Sequence, residues 1–370
     1  MEVTEFTRRQ LLSRTGRIAA AGATVTVLPA LLTACGGGGE AEQPPADTGA
    51  APPATTAAGG GETTAAAELE QVSYQLPWVK DAESSGEFIA DDKGYFTEEG
   101  FDVTLEPGGA DIAVEPLIQS GKSLIGLTTP IFTANAVNEG AALVIIGAKF
   151  QKNPFAITSL AAAPIKTPQE MVGKKIGVGV INEGIWTAFL QVNNIDPASV
   201  TKVPVQFDPT PLAAGEVDGW LSFYTTEPII LKFQGVETYT FSMGDFNLVS
   251  YGDVFIVKRE VLEDDVAVTK AAKMMRAVQR GWQGSIDDPD YAGTITAEKY
   301  GADLGLDKDQ QIEQCKVQKD LIVSPVTDAN GLFYMAEEDI AGNVASMEAG
   351  GTSTSADLFS NAVLDRIKSL

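Results

Sequence analysis

Residues 87–103 read EFIADDKGYFTEEGFDV, and this stretch decides the local order of elements. Residues 84–93 are typical of a helix, which Gly94 ends because glycine tolerates the left-handed conformation that commonly follows a helix. Tyr95 and Phe96 are placed to pack under that helix. Gly100 then turns the chain into residues 101–105, where apolar and polar side chains alternate as in a strand.

The same alternation of strands and helices extends on both sides of this stretch. Short apolar runs predict buried strands at residues 72–76, 124–127, 143–147, 175–180, 202–206, 218–223 and 238–241. Helical patterns separate them, several of them closed by glycine, and the pattern is mostly helical from residue 264 onward. Strands spaced by helices favour sheets with parallel pairs. The predicted fold class is therefore α/β.

Two apolar segments bracket the middle of the chain, at residues 156–160 and 253–257. As hinge strands they would place residues 158–249 in a second lobe, inserted into a first lobe made of residues 70–157 and 250–370. Two sequential domains remain the alternative at this point, because periodicity alone determines topology poorly.

The N-terminus has the features of an export signal. Residues 7–12 read TRRQLL, which resembles a twin-arginine signal, and a modest apolar run follows over residues 18–32. That run is too short to span a bilayer stably, which takes about 20 residues. It ends in LTAC at residues 32–35, which resembles a bacterial lipobox, with Cys35 as the thiol that carries the lipid. We predict a signal peptide over residues 1–34 and a protein anchored on the outer face of the cell membrane.

Residues 35–69 combine the lipidated cysteine with a tether. The segment has almost no large apolar side chains and is rich in Pro, Ala, Thr and Gly, so it cannot bury enough surface to offset its ordering entropy. A flexible chain of this length typically holds its ends about 30 Å apart. That distance suffices to lift a domain off a membrane.

The composition excludes several classes of function. The net charge is −24, and removing residues 1–34, which hold four Arg and two Glu, lowers it to −26. Nucleic acid would be repelled by such a surface, and anionic lipid would not attract it, so membrane contact depends on the lipid anchor. The sequence has no His, the commonest general base and metal ligand, and Cys315 is left without a disulfide partner once Cys35 is acylated. We predict no metal site, no cofactor and no catalytic residue.

Residues 87–103 closely resemble an "A-x-x-K-G-Y-F-x-E-E-G-L-D-V" element of the thiamine-pyrimidine-precursor and sulfonate- or nitrate-type periplasmic binding proteins. Residues 166–178 (KTPQEMVGKKIGV) and residues 214–228 (AGEVDG through YTTEP) also look like elements of this family. The resemblance implies a type 2 periplasmic-binding fold, in which two α/β lobes joined by hinge strands close on a ligand. It further implies a small-molecule solute and an ABC permease as partners, with the protein itself a monomer.

An interlobe cleft would bring loops at strand ends and helix starts into contact with the solute. Trp78 follows the first strand and suits a stacking platform, although a tryptophan often packs within its own lobe. Thr128 ends a buried strand, and its hydroxyl either binds ligand or, with that of Thr129, caps the next helix. Asp253 lies beside the proposed hinge, where it either reaches the cleft or braces the crossing.

The second lobe contributes four further candidates. Glu183 and Trp186 begin a helix where sulfonate- and nitrate-type relatives bind anions, and a glutamate there would repel an anion. A solvent-facing Glu183 and a core Trp186 are the competing interpretations. Tyr224 and Glu227 lie in YTTEP, which resembles the family's "Y-x-x-x-E-P" but has one residue fewer between the tyrosine and the glutamate.

Aromatic rings together with acids suit an amino-heterocycle, since rings stack and exocyclic amines donate to carboxylates. A thiamine pyrimidine precursor and a larger flavin-like ring both fit, and a sulfonate, nitrate or other small organic solute is the alternative. The fungal pyrimidine synthase is an enzyme of this family, but its activity is tied to a His, a cysteine cluster and a pyridoxal-linked lysine. This sequence lacks the His and the cysteine cluster, so the prediction is a binding protein. A structural surface lipoprotein is the remaining alternative.

Overall fold

A computed structural model describes residues 68–370. The predicted signal peptide, the lipid-anchor Cys35 and the tether up to residue 67 lie outside the described residues. No helix in the part of the chain that the structure describes combines the length and the apolar character needed to cross a membrane.

Ten strands occur in the described residues, numbered along the chain: β1 (Glu70–Gln75), β2 (Phe101–Glu106), β3 (Ile125–Thr128), β4 (Leu143–Phe150), β5 (Phe155–Leu160), β6 (Lys175–Gly179), β7 (Thr201–Val205), β8 (Gly219–Phe223), β9 (Thr238–Ser242) and β10 (Gly252–Lys258). They form two five-stranded sheets. The first has the order β2-β1-β3-β10-β4 and the second the order β7-β6-β8-β5-β9.

Both sheets are mixed and follow the same plan. In the first, β1 pairs in parallel with β2 and β3, while β10 runs antiparallel to β3 and β4. In the second, β6 pairs in parallel with β7 and β8, while β5 runs antiparallel to β8 and β9. The chain passes from the first sheet to the second at residues 151–154 and returns at residues 243–251. Each passage lies just before the segment that the sequence indicated as a crossing.

Helices flank the sheets: α1 (Ser85–Asp92), α2 (Tyr95–Glu98), α3 (Val114–Gln119), α4 (Pro130–Asn138), α5 (Glu183–Val192), α6 (Thr210–Ala213), α7 (Glu227–Phe233), α8 (Asp265–Asp287), α9 (Pro289–Ile295), α10 (Lys308–Ile322), α11 (Pro325–Asn330), α12 (Glu337–Ala349) and α13 (Ala362–Ile367). The helical C-terminal region is therefore as predicted. Every predicted strand of the first 250 residues is also present, within a few residues of its predicted bounds.

Residues 87–103 fold as the sequence indicates, with one addition. Gly94 and Gly100 have φ angles of 73° and 94°, the left-handed region in which a β-carbon is strained, so both turns need glycine. Between them Tyr95 opens the short helix α2, which the sequence did not indicate. Phe96 is 2% exposed and belongs to the core under the first sheet.

The long helix α8 packs directly on α1 and holds the first sheet's outer layer in place. A β-carbon at Gly281 would lie 2.1 Å from the backbone oxygen of Gly86, so the two helices approach at backbone distance. Trp282, next along α8, is 1% exposed in the core of this sheet. This close packing fixes the segment between β1 and α1, which leads into the candidate site.

Candidate functional site

A cavity of about 570 Å³ opens where strands of both sheets end. The carboxyl ends of parallel strands meet at one edge of a sheet, and ligands of open α/β sheets commonly bind there. Its lining includes residues that lie within about three positions after a strand: Pro77 and Trp78 after β1, Thr129 after β3, Asn182 after β6 and Phe207 after β7. Both sheets thus contribute walls to one cavity.

Two aromatic side chains meet across this cavity. The ring centroids of Trp78 and Phe207 lie 4.5 Å apart at an interplanar angle of 66°, an edge-to-face contact. The backbone oxygen of Trp78 accepts a 2.8 Å hydrogen bond from the N–H of Gly108, and this bond anchors the loop after β1. A β-carbon at Gly108 would come within 2.6 Å of Pro77, so the close approach of these two loops requires glycine.

The polar lining is acidic. Six carboxyl side chains line the cavity, and none of the described residues that line it is Lys, Arg or His. The acids lie in strands, or in segments that follow strands, of both sheets: Asp81, Glu83, Asp111, Glu115, Glu227 and Asp253. Such a site presents carboxyl oxygens that accept hydrogen bonds, and its ionised members add negative charge, so it is suited to N–H donors rather than to anions.

Asp253 is held in a strained conformation next to a buried cation. It is 3% exposed and has a φ of 48°, a region in which side chains other than glycine are uncommon. Its carboxylate forms an ion pair with Lys149, whose side chain is fully buried. The Lys149 ammonium also donates to the backbone oxygen of Glu83 at 2.7 Å. Strain of this kind concentrates at functional sites, where surrounding contacts maintain it.

The short turn after Trp78 carries two acids whose protonation is altered by their surroundings. Burial raises the pKa of the Asp81 carboxyl to about 6. Burial, together with the negative charge of Asp253, raises the pKa of Glu83 well above its ordinary value. The Asp81 carboxylate accepts a 3.0 Å hydrogen bond from the backbone N–H of Glu83. The Asp81 carboxyl therefore gains or loses a proton closer to neutral pH than an exposed aspartate does, and Glu83 keeps its proton to a higher pH than an exposed glutamate does.

Glu227 is the acid that the second sheet contributes to the cavity. It is the first residue of α7 and is 5% exposed. Its carboxylate accepts a 2.7 Å hydrogen bond from the backbone N–H of Phe223. Burial nevertheless raises the pKa of this carboxyl to about 7, because one hydrogen bond does not replace the lost solvation.

The two threonines at the end of β3 have different roles. Thr128 lines the cavity and donates its hydroxyl proton to Glu115 at 2.5 Å, and burial raises the pKa of the Glu115 carboxyl. Thr129 caps α4 by accepting a 3.4 Å hydrogen bond from the N–H of Phe132.

Of the seven residues predicted to bind ligand, Trp78, Thr128, Glu227 and Asp253 line this one cavity. Their contact with ligand remains a prediction.

The other three predicted residues lie elsewhere. Trp186 is 3% exposed on the inner face of α5 and packs in a core to which elements of both sheets contribute. Glu183 lies on the solvent side of the same helix and pairs with Lys202 at 2.5 Å. Tyr224 is 39% exposed and lines a separate depression beside the two passages between the sheets. None of them lines the cavity, so the site proposed below does not include them.

Several lining residues were not indicated by sequence reasoning. Asp81 and Glu83 follow Trp78 within five residues, and two acids so close to a predicted ring platform were the available signal. Phe207 follows a strand in the same way as Trp78 does. Gln311 and Gln314 of α10 had no such signal, because they reach the cavity from a helix that lies more than 200 residues after Trp78 in the sequence.

Comparison with known proteins places the chain in a family. The family model described as NMT1/THI5 like matches residues 81–292. A formylaminopyrimidine-binding protein of Halalkalibacterium halodurans is 24% identical over 229 residues, 60% of this chain and 69% of that protein. A riboflavin-binding protein of Chloroflexus aurantiacus is 24% identical over 237 residues, 62% and 66% of the two chains. A relative from Legionella pneumophila, 22% identical over 60% of this chain and 71% of its own length, is named a 4-amino-5-hydroxymethyl-2-methylpyrimidine phosphate synthase.

Solved structures share the fold. An alkanesulfonate-binding protein of Xanthomonas axonopodis pv. citri, bound to MOPS, has a TM-score of 0.58 at 16% identity and covers 80% of this chain and 99% of its own. The ligand-binding component of an ABC-type import system from Staphylococcus aureus has a TM-score of 0.59 at 10% identity, covering 81% and 99%. These likenesses confirm the predicted α/β periplasmic-binding fold. Because the family model spans more than half of the 370 residues, the chain belongs to the NMT1/THI5-like family.

Proposed function

We propose that this protein is the extracytoplasmic solute-binding protein of an ABC importer and that the acidic cavity is its ligand site. Residues 70–157 and 250–370 act as one lobe and residues 158–249 as the other, closing on the solute. The strands of the second sheet, residues 155–242, lie within one segment flanked in sequence by strands of the first sheet, which supports this division, and the cavity takes residues from near both sheets. Relatives named as binding proteins support the same function.

The ligand is an aromatic heterocycle that carries amino or other N–H donors. The observation that carries this proposal is a cavity lined by the rings of Trp78 and Phe207 and by six carboxyls, with no basic side chain among the described lining residues. Flat rings gain from aromatic contact, and N–H groups donate to carboxylates. A thiamine pyrimidine precursor and a flavin both meet this description, and two relatives are named for such solutes.

A sulfonate or nitrate is the less favoured solute. Binding an anion usually needs Arg, Lys or a free helix N-terminus, since an anion beside ionised carboxylates is repelled. Among the described residues, no Lys or Arg lines the cavity to offset the charge of its acids. The acidic lining therefore argues for a neutral or cationic guest.

The protein binds its solute without altering it. The sequence has no His, and the pKa of the Cys315 thiol is raised to about 12 by burial, so a thiolate nucleophile is disfavoured. Because one relative is named a synthase, the absence of chemical change in the solute has to be tested. Release of unchanged solute after binding distinguishes a carrier from an enzyme.

We also propose that the protein is exported by the twin-arginine route and acylated on Cys35. Residues 7–12 and 32–35 support it, and the acyl chains would hold the protein on the outer face of the membrane. Two or more chains on this cysteine give firm retention, since a single chain binds only marginally. The permease is then reached through the tether of residues 35–69.

Calorimetric titration of the mature protein with formylaminopyrimidine, riboflavin and MOPS tests the ligand class. We expect saturable binding of at least one of the two heterocycles, weakened by Trp78→Ala and by Glu227→Gln but not by Tyr224→Ala. The bound solute is then released by denaturation and identified by mass spectrometry. Binding of MOPS alone, or recovery of a chemically altered heterocycle, would overturn the proposal.

A further inference from the structure

The turn that carries Asp81 and Glu83 has little rigidity of its own. It is a three-residue 3₁₀ helix, Ala82–Ser84, lying between the loop after β1 and helix α1. So short a turn satisfies few of its own backbone groups, and its N-terminal N–H groups need partners from elsewhere. The direction in which the two acids point therefore depends on contacts made by other parts of the chain.

Two glutamines of α10 supply those contacts. The backbone N–H of Ala82 donates to Oε1 of Gln311 at 2.8 Å, and Nε2 of Gln318 donates to the backbone oxygen of Ala82 at 2.7 Å. Gln311 is 2% exposed and Gln318 is 1% exposed. The residues lie 229 and 236 positions from Ala82 in sequence. The two peptide units on either side of Ala82 are thus held by α10, the first through its N–H and the second through its oxygen.

The loss of these two hydrogen bonds should differ in its energetic cost. The Ala82 N–H has no hydrogen-bond acceptor other than Gln311 among the described residues, so losing this bond would leave a buried donor unsatisfied. The Ala82 oxygen also accepts from the backbone N–H of Ser85, and Oε1 of Gln318 is itself buried without a partner. Losing the Gln318 bond should therefore be the milder change.

We propose that Gln311 and Gln318 are positioning residues of the ligand site, which hold the backbone on both sides of Ala82 so that Asp81 and Glu83 face the cavity. The ligand-binding consequence rests on the proposed function above. Gln311 also lines the cavity, so the same side chain touches the space that the acids enclose. Helix α10 is in this way a part of the site rather than a distant support.

Near-isosteric substitutions to methionine test the proposal, because methionine keeps the volume and removes the hydrogen bonds. Amide exchange of Ala82 and the carbon-13 titration of the Asp81 carboxyl are followed in the ligand-free protein. Gln311→Met should speed exchange at Ala82 and lower the pKa of Asp81 from about 6 towards its ordinary value, as the turn opens to water. Gln318→Met should produce smaller changes of the same sign. Affinity for formylaminopyrimidine should fall about tenfold and about threefold respectively.

Gln279→Met is the matched control, since Nε2 of Gln279 also donates to a backbone oxygen, that of Leu332 at 2.8 Å, away from the cavity. It should leave Ala82 exchange and Asp81 titration unchanged. Unchanged values in Gln311→Met, or equal changes in the control, would refute the proposal. If Gln311→Met does not fold, Gln318→Met decides by the same readouts. Failure of formylaminopyrimidine to bind the unsubstituted protein counts against this solute only, since exchange and titration are measured without ligand.

Discussion

Replacing Glu227 by glutamine should stabilise the ligand-free protein above neutral pH. The carboxyl is 5% exposed, and it accepts one hydrogen bond from the N–H of Phe223 at 2.7 Å. A glutamine side-chain oxygen can accept the same bond. The substitution therefore removes a buried negative charge while keeping the contact that positions the start of α7.

The magnitude follows from the pKa of this carboxyl. Burial raises it from 4.5 to about 7, so the folded state holds the proton more tightly than the unfolded chain does. The associated stability is fully present below pH 4.5 and is lost as the pH rises through 7. One pKa unit corresponds to about 1.4 kcal/mol, so the full loss is about 3 kcal/mol. About 2 kcal/mol of it falls between pH 5 and pH 8.

Urea unfolding of both proteins at pH 5 and pH 8 measures the effect. The free energy of unfolding of Glu227→Gln, relative to the unsubstituted protein, should rise by about 2 kcal/mol between these two pH values. Glu183→Gln is the matched control, since Glu183 is also the first residue of a helix but is exposed to solvent. A pH-independent difference for Glu227→Gln, or the same rise in the control, would refute the reasoning.

Further substitutions separate the site from the core and the anchor. Trp78→Ala should weaken binding of formylaminopyrimidine or riboflavin with little effect on unfolding in urea, whereas Trp186→Ala should cost about 3–5 kcal/mol as a core truncation. Comparable destabilisation by both would place Trp78 in the core. Lys149→Met should destabilise by about 3–5 kcal/mol, because the Asp253 carboxylate stays buried without its cation. Adding Asp253→Asn should recover part of that loss, and no recovery would contradict the buried ion pair. Cys35→Ser should move the protein from the membrane fraction to the soluble fraction, and unchanged retention would exclude lipid anchoring at this residue.

Local sequence features predicted the elements and part of the cavity. Gly94 and Gly100 marked turns that adopt positive φ angles, and the alternating residues 101–105 form β2. Positions directly after strands or at helix starts, such as Trp78 and Glu227, line the cavity because strand ends of an α/β sheet converge there.

The side on which a helical residue lies was harder to predict. Glu183 and Trp186 both lie in the first turn of α5, yet Trp186 is buried and Glu183 is exposed, because the elements packed against the helix cover one position and not the other. Similarly, Lys149 lies in β4, where its charge interrupts the apolar pattern that predicts a buried strand. Its ion pair with Asp253 forms only once β4 and β10 are paired in one sheet.

The amino-acid sequence by itself determined the α/β class, the order of strands and helices and the acidic character of the protein, because these follow from periodicity, glycine positions and composition. Tertiary structure alone decided which acids share one cavity and how they are held. The hydrogen bond from the Ala82 N–H to Gln311 joins residues that are 229 positions apart in the sequence. Such a contact arises from the packing of distant elements, and no local pattern of residues encodes it.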